Sequence, residues 1–224
     1  MDDAARGRVL RTCTLFSGLP EEDLRRLAVA SSLRRYRRGQ FVVHAGDPGD
    51  SLLVVADGSL KAVTISANGE ELLLAVVEPG EVVGELTVVD GGERSATVAA
   101  LTDASVVRIP RESVLAVAEH SPVLVRAMLS SLAAMVRRLT GDAADLVFLD
   151  TPRRVAKLLL SSAPPTGPHR VHLELTQSEL AERVGATRQT VNAALQGFQR
   201  RGWITVDSRD VTLHDVPAMR RFVG

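Results

Sequence analysis

Gly84-Glu85-Leu86-Thr87-Val88-Val89-Asp90-Gly91-Gly92-Glu93-Arg94-Ser95-Ala96 is the stretch on which the reading of this chain turns. It sets a Gly-Glu pair and an Arg-Ser pair a short loop apart, within a region that reads as short strands. Glu85 can accept hydrogen bonds from sugar hydroxyls, and Gly84 lets the backbone come close to a ligand. Arg94 offers phosphate oxygens a planar fork of donors, helped by the Ser95 hydroxyl and nearby backbone N–H groups. The pattern predicts a site that holds a sugar and a phosphate together. A plain structural ion pair between Glu85 and Arg94 is the alternative.

Around this stretch, from Tyr36 to Pro110, short β-branched runs such as Phe41-Val42-Val43, Leu52-Leu53-Val54-Val55 and Leu72 to Val77 alternate with turn signals. Gly46-Asp47-Pro48-Gly49-Asp50, Asp57-Gly58, Asn68-Gly69 and Pro79-Gly80 supply the turns. That spacing predicts a compact antiparallel β-roll, and Asn68-Gly69 suits a tight hairpin because both residues tolerate positive φ. Ahead of it, residues 12–32 read as helical, with Pro20-Glu21-Glu22-Asp23 as an acidic helix start.

From Pro122 to about Leu149 the period becomes helical. Val125, Leu129, Leu132, Val136, Leu139, Ala143 and Leu146 alternate spacings of four and three, a heptad seam. A helix of roughly 28 residues is about 40 Å long at 1.5 Å per residue, too long to bury all round on a small domain. The seam predicts a parallel two-helix dimer interface; packing lengthwise on the roll is the alternative. A second apolar line, Leu124, Met128 and Met135, suits the roll.

Phe148 to Pro152 reads as a hinge, with Thr151 as cap and Pro152 in the first turn of a helix running to about Ser162. Ala163 to Pro168 reads as a surface loop. Thr176-Gln177-Ser178-Glu179 is a capping box, and Leu180, Ala181 and Val184 give a short helix its buried face. Gly185 makes the turn and Thr187 caps a second helix, whose core line is Val191, Ala194, Leu195 and Phe198. Two short helices joined this way form a helix-turn-helix. Its second helix presents Arg188, Gln189, Asn192 and Gln196 outward, with Arg200 near its end, so that Arg188 could read guanine O6 and N7 in a major groove. A solvated helix face is the alternative. Trp203 to Val206, the turn Asp207-Ser208-Arg209-Asp210 and Val211 to His214 read as a hairpin wing.

The formal net charge is zero, but residues 1–150 carry 16 Lys/Arg against 21 Asp/Glu, and residues 151–224 carry 11 against 6. An acidic front and a basic back suit a sensor joined to a binder of double-stranded DNA. One cysteine, Cys13, excludes an internal disulfide framework and a Cys-ligated zinc or iron–sulfur site, and reads as buried packing. His44, His120, His169, His172 and His214 are scattered without metal spacing. No metal site, catalytic residue or cofactor is expected, because no nucleophile–base pair or metal cluster is legible. The acidic start and the lack of a long apolar run predict a cytoplasmic protein without a membrane partner.

Residues 84–96 resemble the phosphate-binding cassette of cyclic-nucleotide-binding domains, and residues 176–204 resemble a winged helix-turn-helix. Together they make the chain similar to the cyclic AMP receptor protein / fumarate-nitrate regulator family of bacterial transcription regulators. The resemblance implies an α+β protein with a jelly-roll-like β-roll at 1–120, a dimerisation helix and hinge at 121–150, and a winged helix-turn-helix at 151–224. It implies cyclic AMP as allosteric ligand on Gly84, Glu85, Arg94 and Ser95, with Thr140 reaching the base. It also implies DNA contacts from Thr176, Thr187, Arg188, Gln189, Asn192, Gln196 and Arg200. The loop at 163–168 lies where the family can contact RNA polymerase, although its composition carries no such signal. The chain departs from the family in three places: Gln189 and Ala193 stand where members have Glu and Arg, and Leu139 where a threonine meets adenine. The usual operator is therefore not expected. Base choice in the pocket is open, as is a constitutive or differently liganded regulator.

Overall fold

Alternation along Ser51–Asp57 organises the first half of the fold. Leu52 and Val54 point into one cluster with helical residues such as Leu24, Leu27 and Leu124, while Leu53 and Val55 point into another with Val98 and Val106. A strand buried on both faces in this way must lie between a helical layer and a second sheet. The computed structural model describes residues 2–164, 169–173 and 175–224. The described chain divides into two units, one of residues up to 70 together with 74–137, the other of 71–73 with 138–224.

In chain order the first elements are α1 (Asp3–Thr12), α2 (Glu21–Ala30), β1 (Ser32–Tyr36), β2 (Phe41–Val43), β3 (Ser51–Asp57), β4 (Leu60–Ile65), β5 (Glu71–Val77) and β6 (Val82–Val83). There follow α3 (Glu85–Asp90), β7 (Thr97–Ala100), β8 (Ala104–Pro110), α4 (Arg111–Ala118) and α5 (Pro122–Phe148). The strands form two four-stranded sheets, ordered β1-β8-β3-β6 and β2-β7-β4-β5. β3 and β8 pair antiparallel from Ser51 opposite Pro110 to Asp57 opposite Ser105, with a bulge after Val55. Asn68-Gly69 forms the expected turn between β4 and β5, with Gly69 at φ 81° and Ser66 and Glu70 bonded across it.

Of the helix expected over 12–32 only α2 forms, from the acidic start expected at Pro20–Asp23; α1 ends at Thr12 and residues 14–18 run as turns. The roll begins at Ser32, before Tyr36, and its run of strands is broken by α3, which contains Glu85 itself. In α5, Leu124 and Met128 are buried in the roll's helical core and Met135 is half-buried. The seam is largely open: Leu129 and Val136 are each 61% exposed, Val125, Leu139, Ala143 and Leu146 are exposed, and Leu132 is half-buried.

The second unit adds α6 (Thr151–Ser162), β9 (Arg170–His172), α7 (Gln177–Val184), α8 (Arg188–Arg200), β10 (Ile204–Asp207), β11 (Asp210–Leu213) and α9 (Val216–Val223). Asp150, not Thr151, caps α6: its carboxylate accepts from the Arg153 N–H at 3.0 Å, so the boundary falls one residue earlier than expected. Pro164 ends the described part of the loop read at 163–168, whose residues 165–168 lie outside the described residues. The wing is three-stranded, ordered β10-β11-β9, with β9 as a strand the sequence pattern had not signalled. Phe198, Trp203 and Phe222 stack in its core, which ties α9 to the recognition helix. Among the described residues no helix is long and apolar enough to cross a membrane.

Candidate ligand pocket and nucleic-acid interface

The cassette is built on two close approaches. Gly84 sits at φ 98°, and a Cβ there would lie 2.1 Å from the Arg94 guanidinium, so the position needs glycine for conformation and for space. The Gly46–Pro48 turn crosses over the end of the cassette, with the Arg94 N–H donating to the Asp47 carbonyl at 2.8 Å and the Gly46 N–H to the Arg94 carbonyl at 2.9 Å. The Arg94 side chain is thereby drawn inward and is 4% exposed.

One Arg94 nitrogen donates to the Ser51 carbonyl at 2.7 Å and to the Ser51 hydroxyl at 3.0 Å; another donates to the Thr87 hydroxyl at 3.3 Å. Its Nε–H is buried and has no partner among the described residues. Burial pushes the Arg94 pKa below the usual arginine range, with Asp50 pulling the other way, and the group remains a cation at neutral pH. Asp50 itself makes a two-pronged pair with Arg108 at 2.7 Å. Although burial raises it, the Ser51 hydroxyl and Arg108 hold the Asp50 carboxyl below its ordinary value.

Glu85, in the first turn of α3, is 7% exposed and accepts a hydrogen bond from the Ser131 hydroxyl of α5 at 3.2 Å. Ser95 is exposed beside the buried Arg94. A buried cation with an unpartnered N–H and a buried carboxylate on one cassette can take an anion and a hydroxyl donor respectively. Thr140 is exposed on α5, in the second unit. Ser51, Thr87 and Ser131 were not read as site residues. Ser51 abuts a turn signal, but only strand pairing shows that it meets Arg94.

In the second unit the helix caps organise the DNA-facing candidates. The Thr176 hydroxyl accepts from the Glu179 N–H at 3.3 Å while the Glu179 carboxylate accepts from the Thr176 N–H at 2.7 Å. Gly185 turns at φ 62°, and the Thr187 hydroxyl accepts from the Thr190 N–H at 3.2 Å to start α8. Arg188, Gln189, Ala193, Gln196 and Arg200 are exposed, and Arg188 touches the Gln177 amide oxygen at 3.4 Å. Asn192 departs from the expectation of an outward side chain: it is half-buried, with its Oδ1 buried and without a partner among the described residues. A cavity of about 290 Å³ separates α7 and α8 from the wing; Gln177, Arg188, Ser208 and Arg209 are among its lining residues.

Arg154 is a further residue that the pattern did not single out. It donates to the Val184 carbonyl at 2.8 Å, the Leu149 carbonyl at 2.7 Å, the Thr151 hydroxyl at 3.2 Å and the Gly185 carbonyl at 3.4 Å. One guanidinium thus joins the end of α5, the start of α6 and the turn of the helix-turn-helix. Such charge-assisted bonds to helix-end carbonyls satisfy groups that a helix leaves open.

Residues 33–121 match the cyclic nucleotide-binding domain and residues 153–222 the Crp-like helix-turn-helix domain. A "CRP-like cAMP-activated global transcriptional regulator" of Mycobacterium tuberculosis is 33% identical over 95% of this chain and 97% of its own. A "Cyclic AMP receptor protein" of Thermus thermophilus is also 33% identical, over 89% of this chain and 94% of its own. The solved structure of FixK2 from Bradyrhizobium japonicum shares the fold with a TM-score of 0.77 at 20% identity, covering 87% of this chain and 98% of that one. With both halves matched and full-length relatives at this identity, the chain belongs to the cyclic AMP receptor protein / fumarate-nitrate regulator family, the ligand-controlled, DNA-binding regulators of transcription.

Proposed function

We propose that the chain acts as a homodimer whose operator binding is controlled by cyclic AMP held in the β-roll. The observation that carries this reading is Arg94, a buried cation whose Nε–H has no partner among the described residues, on the same cassette as the buried carboxylate of Glu85. Arg94 and Ser95 take the cyclic phosphate, Glu85 the ribose hydroxyl, and Gly84 leaves the room that the Arg94 guanidinium fills. Thr140 supplies the contact to the base, in the dimer from the partner subunit. The names of the Mycobacterium tuberculosis and Thermus thermophilus relatives support cyclic AMP as the ligand.

The largely exposed seam Val125, Leu129, Leu132, Val136, Leu139, Ala143 and Leu146 supplies the dimer contact, since an apolar stripe of that length left in water is a partner surface. Two copies of α8 then enter successive major grooves about 34 Å apart. Arg188, Gln189 and Gln196 face the base edges, Arg200 faces phosphate, and Thr176 and Thr187 set the helix ends. Asn192, half-buried, contributes less to reading than its neighbours. The ligand acts by binding the DNA-competent arrangement more tightly than the other, so population shift transmits the signal. DNA and RNA polymerase, as partners of a regulator, place its work in the cytoplasm.

Leu139 favours a second reading, in which the base is chosen loosely or the regulator answers another ligand. The test is calorimetric titration of ligand-stripped protein with cyclic AMP and with cyclic GMP, alongside operator binding. Saturable cyclic AMP binding that tightens operator binding supports the proposal. A folded dimer that binds operator equally with and without either nucleotide overturns it in favour of constitutive action.

A further inference from the structure

The side of α5 that faces the roll is apolar except at one place. Leu124 and Met128 are buried in the core and Met135 is half-buried, following spacings of four, then seven. Between them, three residues after Met128, the line carries a hydroxyl at Ser131. That hydroxyl donates to Oε1 of Glu85 at 3.2 Å, across 46 residues of sequence.

We propose that Ser131 is a positioning residue of the ribose subsite, which orients the Glu85 carboxylate and couples it directly to the long helix. This rests on the cyclic nucleotide reading above. A carboxylate accepts several hydrogen bonds, so Ser131 can donate to Oε1 while a ribose 2′-hydroxyl donates to the same group. Glu85 is buried, and a buried carboxylate turned the wrong way gives its ligand a poor acceptor at the same desolvation cost. Fixing its rotamer through a neighbouring helix pre-organises the subsite, and ligand-induced strain on Glu85 passes into α5 through the Ser131 hydroxyl.

The experiment titrates wild type, Ser131→Ala and Ser131→Thr with cyclic AMP and with 2′-deoxy cyclic AMP, which lacks the hydroxyl that Glu85 would accept from. Circular dichroism and sedimentation establish that each variant is a folded dimer. The expected result is that Ser131→Ala weakens cyclic AMP about tenfold, the order expected for one hydrogen bond to a charged group. It changes 2′-deoxy cyclic AMP by less than about twofold, and Ser131→Thr restores most of the loss. Equal loss for both nucleotides, or no loss for either, overturns the role of Ser131 while leaving the nucleotide reading intact. Failure of folded wild type to bind either nucleotide overturns that reading and the inference with it.

Discussion

Two arginines of this chain, Arg94 in the β-roll and Arg188 at the start of α8, are surrounded in opposite ways. Arg94 is almost wholly buried, held by Ser51 and Thr87 and pressed against a glycine that leaves it room. Arg188 is exposed, with one long contact to Gln177. The contrast follows from what each must meet. A small anionic ligand is gripped best by donors already oriented in a low-dielectric site, where charge-assisted bonds are strong. A duplex presents its edges to a surface, so a reading side chain must remain hydrated and extended until the groove arrives.

The largest effect that tests this contrast is at Arg94. Arg94→Ala should weaken cyclic AMP by about 100-fold or more, the order of two charge-assisted hydrogen bonds. Arg94→Lys, which keeps charge but loses the fork, should recover only part of it. Calorimetry on both variants, with thermal melting to confirm folding, reads the result; undiminished binding would remove the buried side of the comparison.

Arg188→Ala should cost roughly 1–3 kcal/mol of discrimination at one base pair. Its effect on native stability should remain within about 0.5 kcal/mol, as usual for an exposed site. Arg200→Ala should instead weaken all sequences alike and lower the salt slope by about one. Binding to a panel of operator variants at several salt concentrations separates the two, and uniform weakening in Arg188→Ala would demote it to a phosphate contact.

Gly84→Ala should destabilise the first unit by about 1–2 kcal/mol, the usual penalty for an L-residue held in the left-handed region. It should also displace Arg94, since the new Cβ would meet its guanidinium. Urea denaturation measures the first effect and nucleotide titration the second. A variant as stable as wild type would show that the cassette relaxes freely.

The smallest effect concerns Cys13, fully buried in the helical core, where burial pushes its pKa up from 9.0 to about 11. A folded pKa raised above the unfolded one leaves stability whole below about pH 9. Stability then declines as pH rises toward about 11, because only the unfolded chain ionises there. Cys13→Ala should remove that decline, as read by melting between pH 8 and pH 11, roughly the window set by the two values. An unchanged pH profile would show that the thiol is not the group responsible.

Much of this architecture was legible before any coordinates. Thr176 with Glu179, Gly185, and Thr187 with Thr190 act within four residues of one another, so the helix-turn-helix could be read directly. Asn68-Gly69 announced its hairpin in the same way, and the period of four and three announced α5. The stop of α1 at Thr12 was not legible in the same way, because no Gly or Pro stands between Thr12 and Ser17 to mark it. Sequence by itself thus determined the elements, their caps and the chemical types on the cassette, since short-range hydrogen bonds and periodicity are written in neighbouring residues. Tertiary structure alone decided that Arg94 is held by Ser51, 43 residues away, and that Glu85 meets Ser131 across 46. It also decided that Arg154 joins the hinge to the helix-turn-helix turn and that Asn192 lies half-buried. Those pairings depend on which strands and helices become neighbours, and that choice is made by burial summed over the whole core.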